Sequence, residues 1–203
     1  MNGKGILVII SGPAGSGKGT VVAELRQLMP DIGVSVSATT RAPRPGETEG
    51  VSYFYKTREQ FEQMLEAGEI LEHTEYMNNY YGTPAAEVKR RLDAGDDILL
   101  EIEVEGAAQV RARFPEAVLV MLIPPDFATL EARLRGRGTE TEEVIRQRLE
   151  RAGEEIARMG GYDYVVVNAD GAAHECAETV RAIITAEHQK SFRKAYLAEE
   201  FYK

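Results

Sequence analysis

The residues best placed to do chemistry stand near the N-terminus, in the run GPAGSGK. Its spacing is that of the G-x-x-x-x-G-K phosphate-binding loop, or P-loop, whose glycines let successive backbone N–H groups point at phosphate oxygens. The lysine supplies a point charge for the β- and γ-phosphates of a nucleotide, and the N-terminus of a following helix attracts the same anion. The predicted nucleotide-binding residues are Gly12, Pro13, Ala14, Gly15, Ser16, Gly17, Lys18, Gly19 and Thr20.

The P-loop departs from the strict motif at one position. Gly19 follows Lys18, where Ser or Thr would place a hydroxyl on Mg²⁺. Thr20 comes one residue later, so either Thr20 substitutes or water takes the position. Glu101 ends an apolar run, where P-loop enzymes often keep an acidic residue near Mg²⁺. We therefore expect Mg²⁺ to be held through phosphates and water, with Thr20 and Glu101 as candidate ligands.

A second polar cluster follows in the run SATTRAPRPGE. Arg41 and Arg44 stand three residues apart beside prolines, and the planar fork of arginine suits bidentate phosphate binding. Tyr53, Tyr80 and Tyr81 offer further hydroxyl donors. Taken alone, such residues are more often surface charges or packing. Their presence beside a P-loop favours a phosphate acceptor held near the γ-phosphate.

The elements that must position these groups alternate along the chain. Apolar runs read as buried strands, and each is followed by a stretch with helical spacing. Strands that alternate with helices predict an α/β fold, a parallel core sheet flanked by helices. The predicted strands are Ile6–Ile10, Ile98–Ile102, Ala117–Ile123 and Tyr164–Val167, and the predicted helices are Val21–Met29, Ala107–Phe114, Phe127–Leu134 and Ala172–Gln189.

Two stretches interrupt this alternation. One has a capping-box pattern at Thr57 and Gln60, which opens a helix between two half-polar strands, Val51–Tyr55 and Glu69–Tyr76. The other, at about 133–152, is dense in charge and glycine and predicts a mobile arm. The residues in it that have the pattern of a solvated helix face are Thr141, Glu142, Glu143, Arg146, Glu150 and Arg151. The predicted organisation is a core at 1–37, an acceptor-binding subdomain at 38–85, core again at 86–132, a lid at 133–155 and core at 156–203.

Composition excludes several classes of function. The formal charge of −9 leaves no globally basic surface for nucleic acid. No apolar run approaches the length of a membrane span. The single Cys176 cannot form an internal disulfide, which favours a reducing compartment. We therefore expect a cytoplasmic protein that binds neither nucleic acid nor membranes, as a monomer or a homo-oligomer.

These motifs together resemble the guanylate kinase family, in the family's order and over nearly the whole chain. The resemblance implies an ATP-dependent transfer of phosphoryl to GMP or dGMP. The matching runs are GPAGSGKGT from Gly12, Ser37 to Gly46, NYYGT from Asn79, EIE from Glu101 and RGRG from Arg135. Glu105 stands where the family has Gln.

The resemblance also implies roles for single residues. Those expected at the GMP phosphate are Ser37, Arg41, Arg44, Tyr53 and Tyr81. Those expected at the guanine edge are Glu72, Thr83 and Glu103, since a carboxylate accepts from both N1–H and the 2-amino group. Those expected at ATP besides the P-loop are Arg133, Arg137 and Asn168. The implied catalytic residues are Lys18, Arg41, Arg137 and Arg148.

Two other classes of function remain open at this point. Adenylate kinases share the GKGT run but not the arginine run, whereas ribose bisphosphate phosphokinases are nearer alternatives that an acceptor assay would separate. Guanylate-kinase-like scaffold domains bind phosphopeptides without catalysis. Such domains typically carry a degraded P-loop, whereas this chain keeps Lys18.

Overall fold

A computed structural model describes residues 4–76, 78–136 and 141–201. The elements in chain order are β1 (Leu7–Ser11), α1 (Lys18–Leu28), β2 (Gly33–Val34), β3 (Ala38–Thr39), β4 (Phe54–Tyr55), α2 (Arg58–Glu66), β5 (Ile70–Tyr76), β6 (Asn79–Pro84), α3 (Ala85–Ala94), β7 (Ile98–Glu101), α4 (Val104–Arg113), β8 (Val118–Ile123), α5 (Phe127–Gly136), α6 (Glu142–Ile156), β9 (Tyr164–Val167), α7 (Ala173–Glu187) and α8 (Tyr196–Glu200), with short 3₁₀ helices at Met159–Gly161 and Ser191–Lys194.

Five parallel strands form the core sheet, in the order β2-β7-β1-β8-β9. All five residues of β1 are buried, because this strand lies in the middle of the sheet with helices on both faces. One face packs under α1 and α7, and the other under α3 and α4. The predicted parallel α/β architecture is confirmed, and the carboxyl ends of β1 and β7 meet at the edge that carries the P-loop.

A second sheet is built from the inserted segment, in the order β4-β3-β6-β5. Its helix α2 begins with the predicted capping box, since the Thr57 hydroxyl accepts from the Gln60 N–H and the Gln60 side chain accepts from the Thr57 N–H. The predicted strand Val51–Tyr55 is wrong in its first half. Residues 48–52 form a turn in which Ser52 N donates to Thr48 O, Tyr53 makes an isolated bridge with Glu49, and the ladder with β3 begins at Phe54.

The helix α3 and the short strands β2 and β3 are absent from the sequence-based prediction. Only Val88 and Leu92 of α3 are buried, and the helix is otherwise dense in charge, so its apolar stripe is too narrow to stand out. A strand of two residues carries no readable alternation. These elements are decided by their neighbours, since β2 pairs only along β7.

The described residues on either side of 137–140 form two helices that pack against each other. α5 continues to Gly136, and Leu130 and Leu134 pack against Ile145 and Ala152 of α6 as a small apolar cluster. Thr141 caps the N-terminus of α6, because its hydroxyl accepts a hydrogen bond from the Val144 N–H. Within the described residues, no helix is long and apolar enough to cross a membrane.

Candidate active site

The P-loop joins β1 to α1, as its sequence predicts. Gly17 precedes α1 with a φ of 88°, a left-handed conformation that disfavours side chains. A Cβ there would also lie 2.3 Å from Asn168 Nδ2, so the position requires glycine on two grounds. Lys18 folds over the loop, where its Nζ donates to Gly12 O at 2.6 Å and lies 3.8 Å from Glu103 Oε1.

Two side chains from outside the loop brace it. Asn168 follows β9 and is buried, and its Nδ2 donates to Ser16 O at 2.9 Å. Arg133 on α5 donates to Asn168 O at 2.8 Å and also pairs with Asp170. Asn168 therefore contacts the P-loop directly, and Arg133 reaches it through Nη1, which donates to Gly15 O at 3.4 Å.

A cavity of about 370 Å³ opens beside the P-loop, between the inserted sheet and the core. It brings together residues that lie far apart in sequence, from the P-loop, β5, β6, the end of β7 and α6. The residues that line it are Ala14, Ser37, Tyr53, Glu72, Thr74, Glu75, Tyr81, Gly82, Glu101, Ile102, Glu103, Arg148, Arg151 and Glu155.

Glu72 is the most buried carboxylate in the wall of this cavity, with only 5% of its surface exposed. Its Oε1 accepts from the Thr83 hydroxyl at 2.7 Å, and Thr83 lies buried behind it. Burial raises the pKa of Glu72, and the hydrogen bonds from Thr83 oppose that rise only in part. The site thus holds a buried carboxylate in the wall of the cavity.

The arginine run forms a compact hydrogen-bonded network at the cavity's edge. Arg41 Nη2 pairs with Glu47 Oε1 at 2.7 Å, and the guanidinium lies 5.4 Å from the Tyr53 ring. Glu47 Oε2 accepts from Arg44 N and from the Tyr55 hydroxyl. The hydrogen bond from Arg41, with those from Arg44 N and Tyr55, lowers the pKa of Glu47 to about 2, and the Glu47 carboxylate raises the pKa of Arg41.

The predicted phosphate-binding residues divide into two groups. Ser37, Tyr53 and Tyr81 line the cavity, with the two tyrosine rings edge to face at 6.1 Å. Arg41 is largely buried in its network, whereas Arg44 is exposed and its described contact is made by its backbone N–H. Arg137 lies outside the described residues.

Glu101 ends β7 beside the start of α1. Its Oε1 would lie 3.5 Å from a Cβ at Gly19, so it stands next to the position that carries a hydroxyl in the strict motif. Burial raises the pKa of Glu101, Lys18 lowers it, and Glu103 raises it. No group of three or more acidic, His or Cys side chains that could hold a metal occurs within 4–76, 78–136 and 141–201. One carboxylate beside a phosphate loop fits Mg²⁺, which keeps water and phosphate ligands.

The sequence-based prediction missed six of the residues that line the cavity, which are Thr74, Glu75, Gly82, Ile102, Arg151 and Glu155. Arg151 and Glu155, on α6, line the cavity beside Arg148, although Arg151 had the pattern of a solvated helix face. Arg151 Nε pairs with Glu155 Oε1 at 2.8 Å, and only 8% of the Glu155 side chain is exposed. Burial raises the pKa of Glu155, and Arg151 lowers it. The spacing of the pair was visible, but only the docking of α6 decides which face meets the cavity.

Comparisons with known proteins identify the family to which the chain is similar. The family model described as guanylate kinase matches residues 4–187. Guanylate kinase of Halalkalibacterium halodurans is 54% identical over 200 residues, covering 98% of this chain and 96% of the relative. Guanylate kinase of Shouchella clausii is 55% identical over 190 residues, covering 94% and 92%. The crystal structure of guanylate kinase from Anaplasma phagocytophilum matches with a TM-score of 0.75 and 33% identity, covering 95% of this chain and 90% of that one.

Proposed function

This chain belongs to the guanylate kinase family, and we propose that it transfers the γ-phosphoryl group of ATP to the phosphate of GMP or dGMP, giving ADP and GDP or dGDP. The observation that carries the acceptor is the buried Glu72 carboxylate, which faces a cavity adjoining a P-loop. Donor and acceptor sites are thereby neighbours, as direct phosphoryl transfer requires.

Guanine recognition follows from the chemistry of that carboxylate. The N1–H and 2-amino groups of guanine are adjacent donors, and Glu72 with Glu103 offers acceptors for them, while Thr83 orients Glu72. Adenine presents an acceptor at N1, which would leave the buried carboxylate unpaired. A site built in this way rejects the wrong base strongly, because its own polar group loses its partner.

The GMP phosphate would be held by the hydroxyls of Ser37, Tyr53 and Tyr81 and by the guanidinium groups of Arg41 and Arg44. The first three line the cavity, and Arg41 is already braced at its edge by Glu47. A pre-ordered fork spends less conformational entropy on binding than a free one. Arg44 would join by turning its exposed side chain inward.

Phosphoryl transfer needs positive charge around the equatorial oxygens of the moving group and little covalent work from the protein. Lys18 supplies it from the P-loop, Arg148 from α6 and Arg133 from α5, with Arg137 as a further lid arginine. No general base is required, because the acceptor phosphate is already an anion. Closing of residues 133–155 over the cavity would exclude the water that otherwise hydrolyses ATP.

Mg²⁺ is part of this proposal as the partner of ATP. When bound, Mg²⁺ would supply positive charge that neutralises the charge developing on the phosphates. Glu101 would orient its water shell from the end of β7, and the exposed Thr20 hydroxyl in the first turn of α1 is the other candidate. Asn168 would lie at the adenine side of ATP. We place the reaction in the cytoplasm, a reducing compartment that suits a chain with a single, buried thiol.

The test is an acceptor panel with purified protein. ATP and Mg²⁺ are combined with GMP, dGMP, AMP, dTMP, UMP, CMP or ribose 1,5-bisphosphate, and ADP formation is followed. We expect turnover with GMP far above AMP and the pyrimidine nucleotides, lost in Lys18→Ala and on chelation of Mg²⁺. Turnover with another acceptor would overturn the guanine assignment. Nucleotide binding without turnover would instead favour a phosphopeptide-binding module.

A further inference from the structure

The strand β5 has an irregular register with β6 at Glu72. Along β5 and β6, Ile70 pairs with Pro84 and His73 pairs with Gly82. Two residues of β5, Leu71 and Glu72, therefore stand opposite the single Thr83. This is the count of a β-bulge, a feature that turns side chains away from regular alternation and is common beside active sites.

The bulge gives Leu71 and Glu72 different environments. Leu71 packs into the apolar cluster under α3 and α4, whereas Glu72 accepts from Thr83 and lines the cavity. β5 is also the outer strand of its sheet, so one of its edges has no strand partner among the described residues. Bulged, edge-strand backbone holds its register weakly unless other groups take its hydrogen bonds.

Two side chains of α4 take those hydrogen bonds. Gln109 Oε1 accepts from His73 N at 3.0 Å, and Gln109 Nε2 donates to His73 O at 2.9 Å. Arg113, one turn further along α4, donates from Nη1 to Ile70 O. The two contacts lie on either side of the bulge, so the primary amide of Gln109 replaces a missing strand partner and Arg113 holds the other end.

The first turn of α4 completes this arrangement. A Cβ at Gly106 would lie 2.5 Å from Glu72 Oε2, so the carboxylate rests directly against the helix where only glycine leaves room. Gly106, Gln109 and Arg113 are spaced by three and four residues and share one face of α4. The helix α4 packs on the core sheet, whereas Glu72 lies on β5 of the inserted sheet.

We propose that Gln109, assisted by Arg113, is a positioning residue for base recognition: it fixes the β5 bulge and so aims the Glu72 carboxylate at the guanine edge. The inference rests on the proposed function, since it concerns how the same site selects its acceptor. Gln109 touches no substrate in this scheme and acts only through Glu72.

The experiment is a double-mutant cycle read out in base selectivity. Gln109→Leu and Arg113→Ala are made alone and in a Glu72→Gln background, and steady-state kinetics are measured with GMP, with IMP and with varied ATP. IMP lacks the 2-amino group, so a misplaced Glu72 costs GMP more than IMP. Tyr164→Phe is the matched control, because it removes a 2.7 Å hydrogen bond to Glu187 far from the inserted sheet.

For Gln109→Leu we expect kcat/KM for GMP to fall about tenfold, mainly through KM, with a smaller fall for IMP and an ATP KM within about twofold of the wild type. In the Glu72→Gln background, Gln109→Leu should lower kcat/KM for GMP by less than about twofold. Arg113 is exposed, and Arg113→Ala should lower kcat/KM for GMP about threefold, again with a smaller fall for IMP. This second variant tests the same inference if Gln109→Leu folds poorly.

Equal losses with GMP, IMP and ATP, or an undiminished loss in the Glu72→Gln background, would overturn the inference and reduce Gln109 to a general stabilising contact. Tyr164→Phe should lower the melting temperature without changing the GMP-to-IMP ratio. Failure of the proposed function looks different, because the wild-type protein itself would then show no preference for GMP.

Discussion

The Thr83 hydroxyl donates a 2.7 Å hydrogen bond to Glu72 Oε1, and both side chains are buried in the wall of the cavity. One of the two carboxylate oxygens is thus occupied from behind. The arrangement fixes the orientation of the carboxylate before any ligand arrives. The ionised form of Glu72 is also destabilised in this position. Burial raises the pKa of Glu72, and the hydrogen bonds from Thr83 oppose that rise only in part.

Glu72→Gln should therefore exchange activity for stability. The amide loses the anionic acceptor for guanine, so we expect kcat/KM for GMP to fall about 100-fold or more. Removal of the buried charge should raise the free energy of unfolding at pH 7 by about 1 kcal/mol. Kinetics and urea denaturation measure the two effects. A variant less stable than the wild type would contradict the claim that desolvation dominates at this residue.

GMP binding should weaken on acidification through the same group. Guanine pairs with the ionised carboxylate, whereas the raised pKa of Glu72 lets the free protein take up a proton above the ordinary range for a glutamate. Affinity should be full above that raised pKa and decline as the pH falls through it. Calorimetric titration with GMP measures this, and Glu72→Gln is the control for the ionisation of the GMP phosphate. Identical pH profiles for the two proteins would count against the assignment.

The stability gained by the Glu72→Gln variant should also shrink as the pH falls. A carboxyl whose pKa is higher in the folded state binds its proton more tightly there, so its cost to folding appears only as the pH rises through that pKa. The stability gain of the variant should be present at neutral pH and shrink towards zero below the unfolded-state value of 4.5. Denaturation at several pH values measures it, and a gain independent of pH would exclude this origin.

Glu47→Ala should impair the grip on the acceptor phosphate. Glu47 holds Arg41, the Arg44 backbone and the Tyr55 hydroxyl in one network, and its pKa of about 2 keeps it ionised throughout the working range. We expect the KM for GMP to rise about five- to tenfold, with the KM for ATP unchanged, because only the acceptor side loses its pre-ordered fork. A lower KM for GMP would show instead that Glu47 competes with the phosphate for Arg41.

Asn168→Ala should loosen the donor site. The change removes the donor to Ser16 O at 2.9 Å inside a buried contact, which should cost about 1–3 kcal/mol of unfolding free energy. The KM for ATP should rise more than the KM for GMP, because the lost contact braces the P-loop. Thr185→Ala, on an exposed part of α7, is the control. A rise confined to GMP would refute this role.

Much of the fold follows from local pattern. The apolar run that becomes β1 is buried on both faces, the P-loop glycines announce the strand-to-helix turn, and the capping box at Thr57 marks the start of α2. These signals are short-range, so the chain displays them without its partners. Stretches without a dominant pattern, such as α3, were missed because they contain few apolar residues. Those residues are buried only when the helix packs on β7 and its neighbours.

The chemical groups of the site can be read from the residues alone: a phosphate loop ending in Lys18, an arginine run at Arg41 and acidic residues at Glu72 and Glu101. Which of these groups lie together depends on how the elements pack. Packing placed Arg151, which has the pattern of a solvated helix face, in the cavity wall beside Glu155, and it joined Gln109 of α4 to the strand that carries Glu72. The physical reason is that burial, and the pairing of backbone groups between distant segments, depend on packing between elements that no local spacing specifies.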